Sequence, residues 1–251
     1  MFDLKYEEND NLINSLNLES SQWLVLRYIV FYGNCSTLLI TKSKKIDSLS
    51  IFEYLKPNEY QLFKQNIKEP TNKEKDIIKK FYIGTKYSWI INSKLRCNQE
   101  LLNDEKNVYD ILNDICDKNR CGKNCILKRY VDLNFLSQYN ITFDKFDEQS
   151  ARNALNLIKT KLIYNVERKE KGFMSASYGK NAFSDREILL LLYCPFGIRM
   201  YVTDNDAETE VIFKNNMKYI FFDSYLEKVN YEGLIFYRIV ICCFLMGDDN
   251  Y

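Results

Sequence analysis

Two glutamates, Glu208 and Glu210, stand one threonine apart where the polar stretch 203–207 gives way to the apolar run 211–213. That change of character predicts the opening of a strand. Residues two apart on a strand point to one face, roughly 6 to 7 Å from each other at about 3.3 Å rise per residue. Two carboxylates so placed resist ionising together, and one pKa rises unless a cation or a hydroxyl donor compensates. Such a pair suits a site where positive charge develops, and cleavage of a glycosidic bond through an oxocarbenium-like state is the commonest case. On its own, Glu-Thr-Glu reads first as a solvated strand edge, so the surrounding residues carry the decision.

Upstream of the pair lie Gly172-Phe-Met-Ser-Ala-Ser177, then Phe183-Ser-Asp-Arg186, then the strand-like run 188–193. Earlier still, Cys125-Ile-Leu-Lys-Arg-Tyr130 predicts a short strand that ends in an arginine, Arg129. Arginine, then aromatic-x-Ser-x-Ser, then Glu-x-Glu: this order and spacing resembles the arginine-serine-glutamate class of mono-ADP-ribosyltransferases, the fold shared by clostridial and other bacterial ADP-ribosylating toxins. Ile91-Asn92-Ser-Lys-Leu95-Arg96 resembles a further family motif, and Phe183 with Arg186 resembles the family's phenylalanine-x-x-arginine pair. Two departures stand out. Ala176 replaces the threonine of aromatic-x-Ser-Thr-Ser, and Tyr130 follows Arg129 where many relatives carry glycine or a second arginine.

The resemblance covers residues 68–251 and implies an α+β fold in which two packed antiparallel β-sheets form an NAD cleft, with N-terminal helices. It implies a catalytic domain over 66–251, preceded by an extension over 1–65 to which no chemistry can be attached. NAD is then the substrate, and ADP-ribose passes to a protein side chain, with arginine the expected acceptor and nicotinamide the product. By the same resemblance Glu210 stabilises the oxocarbenium and Glu208 receives the acceptor, while the Ser175 hydroxyl holds the catalytic glutamate. Asn92, Arg96, Arg129, Ser177 and Arg186 bind the dinucleotide, and Phe183 stacks on nicotinamide. An arginine fork on a diphosphate is physically sensible because it offers several donors in one plane. Three rivals are an NAD glycohydrolase using the same residues, a catalytically inactive relative acting as a protein-binding module, and an unrelated all-β binding module.

Composition narrows the field. The chain has 251 residues, enough for one large or two small domains, and its 46% hydrophobic content allows a proper core. With 35 basic against 34 acidic residues the net charge is +1, so no nucleic-acid partner is expected from bulk charge. There is no histidine. Ser-His-Asp and Cys-His nucleophiles are therefore excluded, and any general acid or base must be a carboxylate, Lys, Tyr or Cys. No Gly-x-Gly-x-x-Gly or Gly-Lys-Ser/Thr loop is present, so NAD is not expected to be held as in a doubly wound sheet or a P-loop.

The eight cysteines show no disulfide framework and read as small buried hydrophobes in a reducing compartment. Cys116, Cys121 and Cys125 lie close in sequence, but without histidine to complete a mixed site no metal is expected. The acidic N-terminus has no apolar signal core, and the apolar run 23–32 is short and interrupted by Arg27. The expectation is a cytoplasmic chain with no membrane span, or one delivered to a host-cell cytosol by a route that needs no cleavable signal.

The elements that must position these groups can also be read. Thr71-Asn-Lys-Glu74 is a capping box for a helix through Ile77, Ile78 and Phe81. Asn92 and Arg96, four apart, share a face of the next helix, and a third helix runs from Val108 to Cys116. An amphipathic helix is predicted over 147–170, with Ala154, Leu155, Ile158, Leu162 and Ile163 on its apolar side. The aromatic and β-branched runs 218–222 and 234–244 predict the last strands. For the runs 23–31 and 36–41, periodicity does not decide between strands and helix.

Overall fold

The computed structural model of the chain describes residues 52–54, 68–137, 139–162, 166–179, 184–203 and 209–247. The chain divides into two units, Met1–Ile51 and Phe52–Tyr251, and every described residue belongs to the second. The runs 23–31 and 36–41 lie outside the described residues, as do Phe183 and Glu208.

Helix α1 (Asn72–Phe81) begins where the capping box predicts. Glu74 N donates to Thr71 Oγ1 at 3.3 Å and Thr71 N donates to Glu74 Oε2 at 2.6 Å, so two of the helix's orphan donors are satisfied reciprocally. Helix α2 (Lys86–Arg96) is capped by Thr85, whose Oγ1 accepts from Tyr87 N at 3.2 Å. Helix α3 (Asn103–Lys118) is joined to α2 by an ion pair of 2.7 Å between Lys94 and the buried Glu105. The three helices bury Ile78, Ile91, Val108, Leu112 and Ile115 together with Phe173, Tyr201 and Ile212.

The strands are β1 (Glu53–Tyr54), β2 (Cys125–Val131), β3 (Arg168–Glu170), β4 (Met174–Ser177), β5 (Ile188–Cys194), β6 (Met200–Val202), β7 (Glu210–Phe213), β8 (Met217–Tyr231) and β9 (Leu234–Gly247). They form one hydrogen-bonded path, β3-β8-β9-β5-β2-β4-β7-β6, with β1 beside β2. Pairing is antiparallel except at β5–β9 and β1–β2. At β2 the path changes partner. All of β2 pairs with β5, from Cys125↔Cys194 to Val131↔Ile188, whereas β4 meets it at the pair Lys128↔Ser177.

Each half then has a face to bury. Leu190, Leu192, Ile239 and Ile241 of one half share a core with Met174, Ala176, Val211 and Phe213 of the other. Burial alternates along β4, with Met174 and Ala176 inside and Ser175 and Ser177 on the more open face, as a period of two requires. The expected packing of two antiparallel sheets is thus realised by one continuous path, with α1–α3 covering the far side of the β4-β7-β6 half.

Helix α4 (Asn134–Ser137) is one turn long, and helix α5 (Glu148–Lys161) packs Ala151, Ala154 and Ile158 onto the same core. The helix predicted over 147–170 is therefore shorter than its hydrophobic period suggests. Leu162 leaves the helix at ψ 102°, and Arg168–Glu170 pair instead with β8 as β3. Unpaired edge groups of a sheet outweigh local periodicity when a neighbouring strand is there to receive them. Strands β8 and β9 also run well beyond the apolar runs that announced them. They meet at Glu232 (φ 50°) and Gly233 (φ 83°), a two-residue turn of the mirror-image kind whose twist matches the flanking strands. Among the described residues no helix is long and apolar enough to cross a membrane.

Candidate active site

Antiparallel pairing of β4 with β7 sets Ser177 opposite Glu210, Ala176 opposite Val211 and Ser175 opposite Ile212. Glu210 opens β7 half-buried, with its Oε2 away from solvent, and its carbonyl accepts from Thr203 N at 3.0 Å. Glu208, the other half of the expected pair, lies outside the described residues. Before the strand, which runs from Glu210, Thr209 sits in the left-handed region at φ 48°. A β-branched residue in that region is strained by about 1–3 kcal/mol. Three contacts hold it. Thr209 Oγ1 lies 2.9 Å from Ser177 Oγ and accepts from Gly179 N at 3.2 Å, while its carbonyl accepts from Tyr178 N at 3.1 Å.

Arg129 reaches across from β2 to this strand pair. Its Nη1 donates to the Ser175 carbonyl at 2.5 Å and to Ser175 Oγ at 3.3 Å. Burial lowers the Arg129 pKa, and Glu170 opposes it, as do Tyr82 and Glu210 more weakly. An arginine remains charged through such a shift. Ser175 therefore meets the arginine, while Ser177 is the serine aligned with Glu210.

Arg129 also lines a cavity of about 820 Å³ together with Arg96, Lys169, Lys171 and Arg186. Five cations face Glu170 and Asp132 there, so the cavity favours an anion. Arg96 Nε donates to Glu170 Oε1 at 2.8 Å, and Arg186 Nη1 to Asp132 Oδ2 at 3.2 Å. Trp89, 72% exposed, stands at the rim. Glu210, Ser175 and Ser177 are not among the residues that line the cavity, but Arg129, which is, bonds Ser175.

Asn92 is turned to the chain itself. Its Nδ2 donates to Tyr82 Oη at 3.1 Å and its Oδ1 accepts from Phe173 N at 2.8 Å. Burial raises the Tyr82 phenol pKa strongly, against the lowering effect of the Asn92 bond, and Glu210 raises it further. Asn92 thereby fixes the entry into β4, where a Cβ on Gly172 would stand 2.8 Å from Asn92 Oδ1. Gly172→Ala is accordingly expected to displace that amide and to destabilise the fold by about 1–3 kcal/mol, the cost of a lost bond to a buried group. The urea midpoint measures it.

The family model described as ADP-ribosyltransferase exoenzyme matches residues 58–235. The chain belongs to this family. No curated protein sequence matches it. Solved structures with a similar fold include the Clostridium limosum C3 exoenzyme, at 18% identity and a TM-score of 0.61, with 77% of this chain and 96% of that chain covered. Plx2a, an ADP-ribosyltransferase toxin from Paenibacillus larvae, has 17% identity and a TM-score of 0.58, with 75% and 91% covered. C3stau2 from S. aureus with NAD has 19% identity and a TM-score of 0.55, with 75% and 92% covered.

Within the ADP-ribosyltransferase exoenzyme fold both departures have a structural setting. Ala176 faces the core opposite Val211, where a small apolar side chain fits. Tyr130 lies beneath the Arg238 guanidinium, 4.9 Å from its ring centroid. Arg238 is a residue the sequence reading passed over. It is 4% exposed, donates from Nε to the Arg186 carbonyl at 3.0 Å and from Nη2 to the Ser184 carbonyl, and pairs with Glu227 at 3.2 Å. A single arginine inside the apolar run 234–244 was the available signal. Lys169 and Lys171 were likewise missed, because nothing in the sequence tells a solvated lysine from one lining a cleft.

Proposed function

We propose that the basic cavity binds NAD and that the protein transfers ADP-ribose from it to an arginine of a protein acceptor, releasing nicotinamide. The observation that carries this reading is Arg129, which bridges the anion-favouring cavity and the strand pair bearing Glu210. Arg96, Arg129 and Arg186 are assigned to the diphosphate, with Lys169 and Lys171 adding to the field. Asn92 and Ser177 act beside them by holding β4 and Thr209, and Phe183 is assigned to the nicotinamide ring.

In the reaction the bond between ribose C1′ and the nicotinamide nitrogen breaks, and its electron pair returns to the ring and neutralises the pyridinium. Positive charge moves onto the ribose. Glu210, accepting from the ribose 2′-hydroxyl, stabilises that charge, and a fixed carboxylate in a drained cleft is worth several kcal/mol there. An acceptor guanidine nitrogen then bonds to C1′ and its proton passes to Glu208. Ser175 acts from behind, holding Arg129 and the register of β4 on β7.

The test uses NAD labelled in the adenylate half, with agmatine and candidate proteins as acceptors. Labelled acceptor and nicotinamide in equal amounts are expected. Nicotinamide with free ADP-ribose would make the protein a glycohydrolase, and no turnover with no quenching of Trp89 by NAD would overturn the reading.

Arg238 gives a separate prediction. Because it holds the carbonyls of residues 184 and 186, Arg238→Met is expected to raise KM for NAD ~10-fold through misplacement of Arg186, with a smaller change in kcat. Arg238→Lys should recover only part of this, since a point charge cannot serve two carbonyls and a ring at once.

A further inference from the structure

At the end of the sheet away from the strand pair of Glu210, three cysteines converge. Cys125 and Cys194 are direct partners at the ends of β2 and β5. Cys121 returns to them through a short loop held by Cys121 N on the Ile198 carbonyl and Gly197 N on the Cys121 carbonyl, both 2.8 Å, and by Phe196 N on Asn124 Oδ1, 2.8 Å. All three are fully buried, and their sulfurs lie within 4.8 Å of one another, with Cys121 Sγ and Cys125 Sγ 3.6 Å apart. The trio is not the one suggested by sequence proximity. Cys116 belongs to α3 and packs among the helices, its Sγ directed to the Ile212 carbonyl, whereas Cys194 joins from a distant part of the chain.

We propose that Cys121, Cys125 and Cys194 form a structural site for one thiophilic metal ion, zinc(II) or copper(I). Two thiolates bound at about 2.3 Å to one tetrahedral ion stand roughly 3.8 Å apart, close to the separation found and far beyond a disulfide bond of about 2.05 Å. Three sulfur donors, with no histidine in the chain and no carboxylate joining them among the described residues, select a soft ion. The loop also brings the Lys123 carbonyl to 2.9 Å from Cys121 Sγ, where it accepts from the thiol. Binding releases the thiol protons and no redox partner is required. The ion would tie the start of β2, four residues before Arg129, to the turn that leads from β5 into β6.

The experiment uses the full chain, purified anaerobically, depleted of metal by chelation and returned to zinc(II), copper(I) or cadmium(II). One ion per chain by native mass spectrometry, thiolate-to-cadmium absorption, proton release and a rise in Tm on loading are expected. Cys194→Ser should lose the ion and the rise in Tm, while replacing the exposed Cys97 by Ser should change neither. Should the Cys194 variant not fold, the stoichiometry of the wild-type chain still decides. A wild-type chain that takes up no ion overturns the proposal, whether thiol titration then finds three reduced cysteines packed as small apolar groups or a disulfide among them. Retention of the ion in a folded Cys194→Ser also overturns it. None of these readouts depends on NAD turnover.

Discussion

Glu210→Gln is expected to lower both nicotinamide release and ADP-ribose transfer by ~10²- to 10³-fold, the usual cost of removing one fixed electrostatic partner of a transition state. The substitution keeps size and hydrogen-bonding reach but removes the charge that opposes the developing oxocarbenium. Tm should stay close to that of the wild type, because the backbone of Glu210 holds Thr203 and the side chain is half-buried at the start of β7. Trp89 quenching by NAD should also survive, since the cationic wall of the cavity is intact. Unchanged transfer by the folded variant would remove Glu210 from the chemistry. Glu208 makes a separate comparison. Loss of protein transfer with retained NAD hydrolysis in Glu208→Gln is the pattern expected if it serves the acceptor alone.

Arg129→Met should fail in two measurements at once. The guanidinium donates to both the carbonyl and the hydroxyl of Ser175, so its removal takes the donor from a half-buried strand group and a cation from the cavity. A charge-assisted hydrogen bond of this kind contributes about 1.5–3 kcal/mol, and a loss of that order is expected in the urea midpoint. KM for NAD should rise roughly 10-fold or more, since about 1.4 kcal/mol of lost binding is a factor of ten. Arg129→Lys separates the causes. It keeps the charge without the fork, so recovery of stability without recovery of KM would assign the phosphate role to the planar geometry. If neither quantity moves in Arg129→Met, the bridge between cavity and strand pair is not functional.

Much of this architecture was legible because it is written in local chemistry. Thr71 and Glu74 can cap only one another at that spacing, and Asn92 and Arg96 share a helical face, as expected. The apolar run 188–193 had to be a buried strand, and Cys242 and Cys243 had to be core. Elsewhere local signals misled. The period of residues 147–170 continued past Lys161, but pairing with β8 drew 168–170 into the sheet. The left-handed backbone of Thr209, inside what reads as a strand opening, depends on Ser177, Tyr178 and Gly179 from another part of the chain.

The sequence by itself determined which chemistry was open. With no histidine, acid–base work falls to other groups, and the ordered arginine, serine and glutamate motifs named a family that the matching family model confirms. Tertiary structure alone decided which groups meet: Ser177 rather than Ser175 across from Glu210, Arg238 beneath the 184–186 carbonyls, and Cys194 beside Cys121 and Cys125. The reason is physical. Residue types and short spacings fix what one element can do, whereas contacts between distant segments depend on strand register and core packing, which emerge only when the whole chain closes its loops.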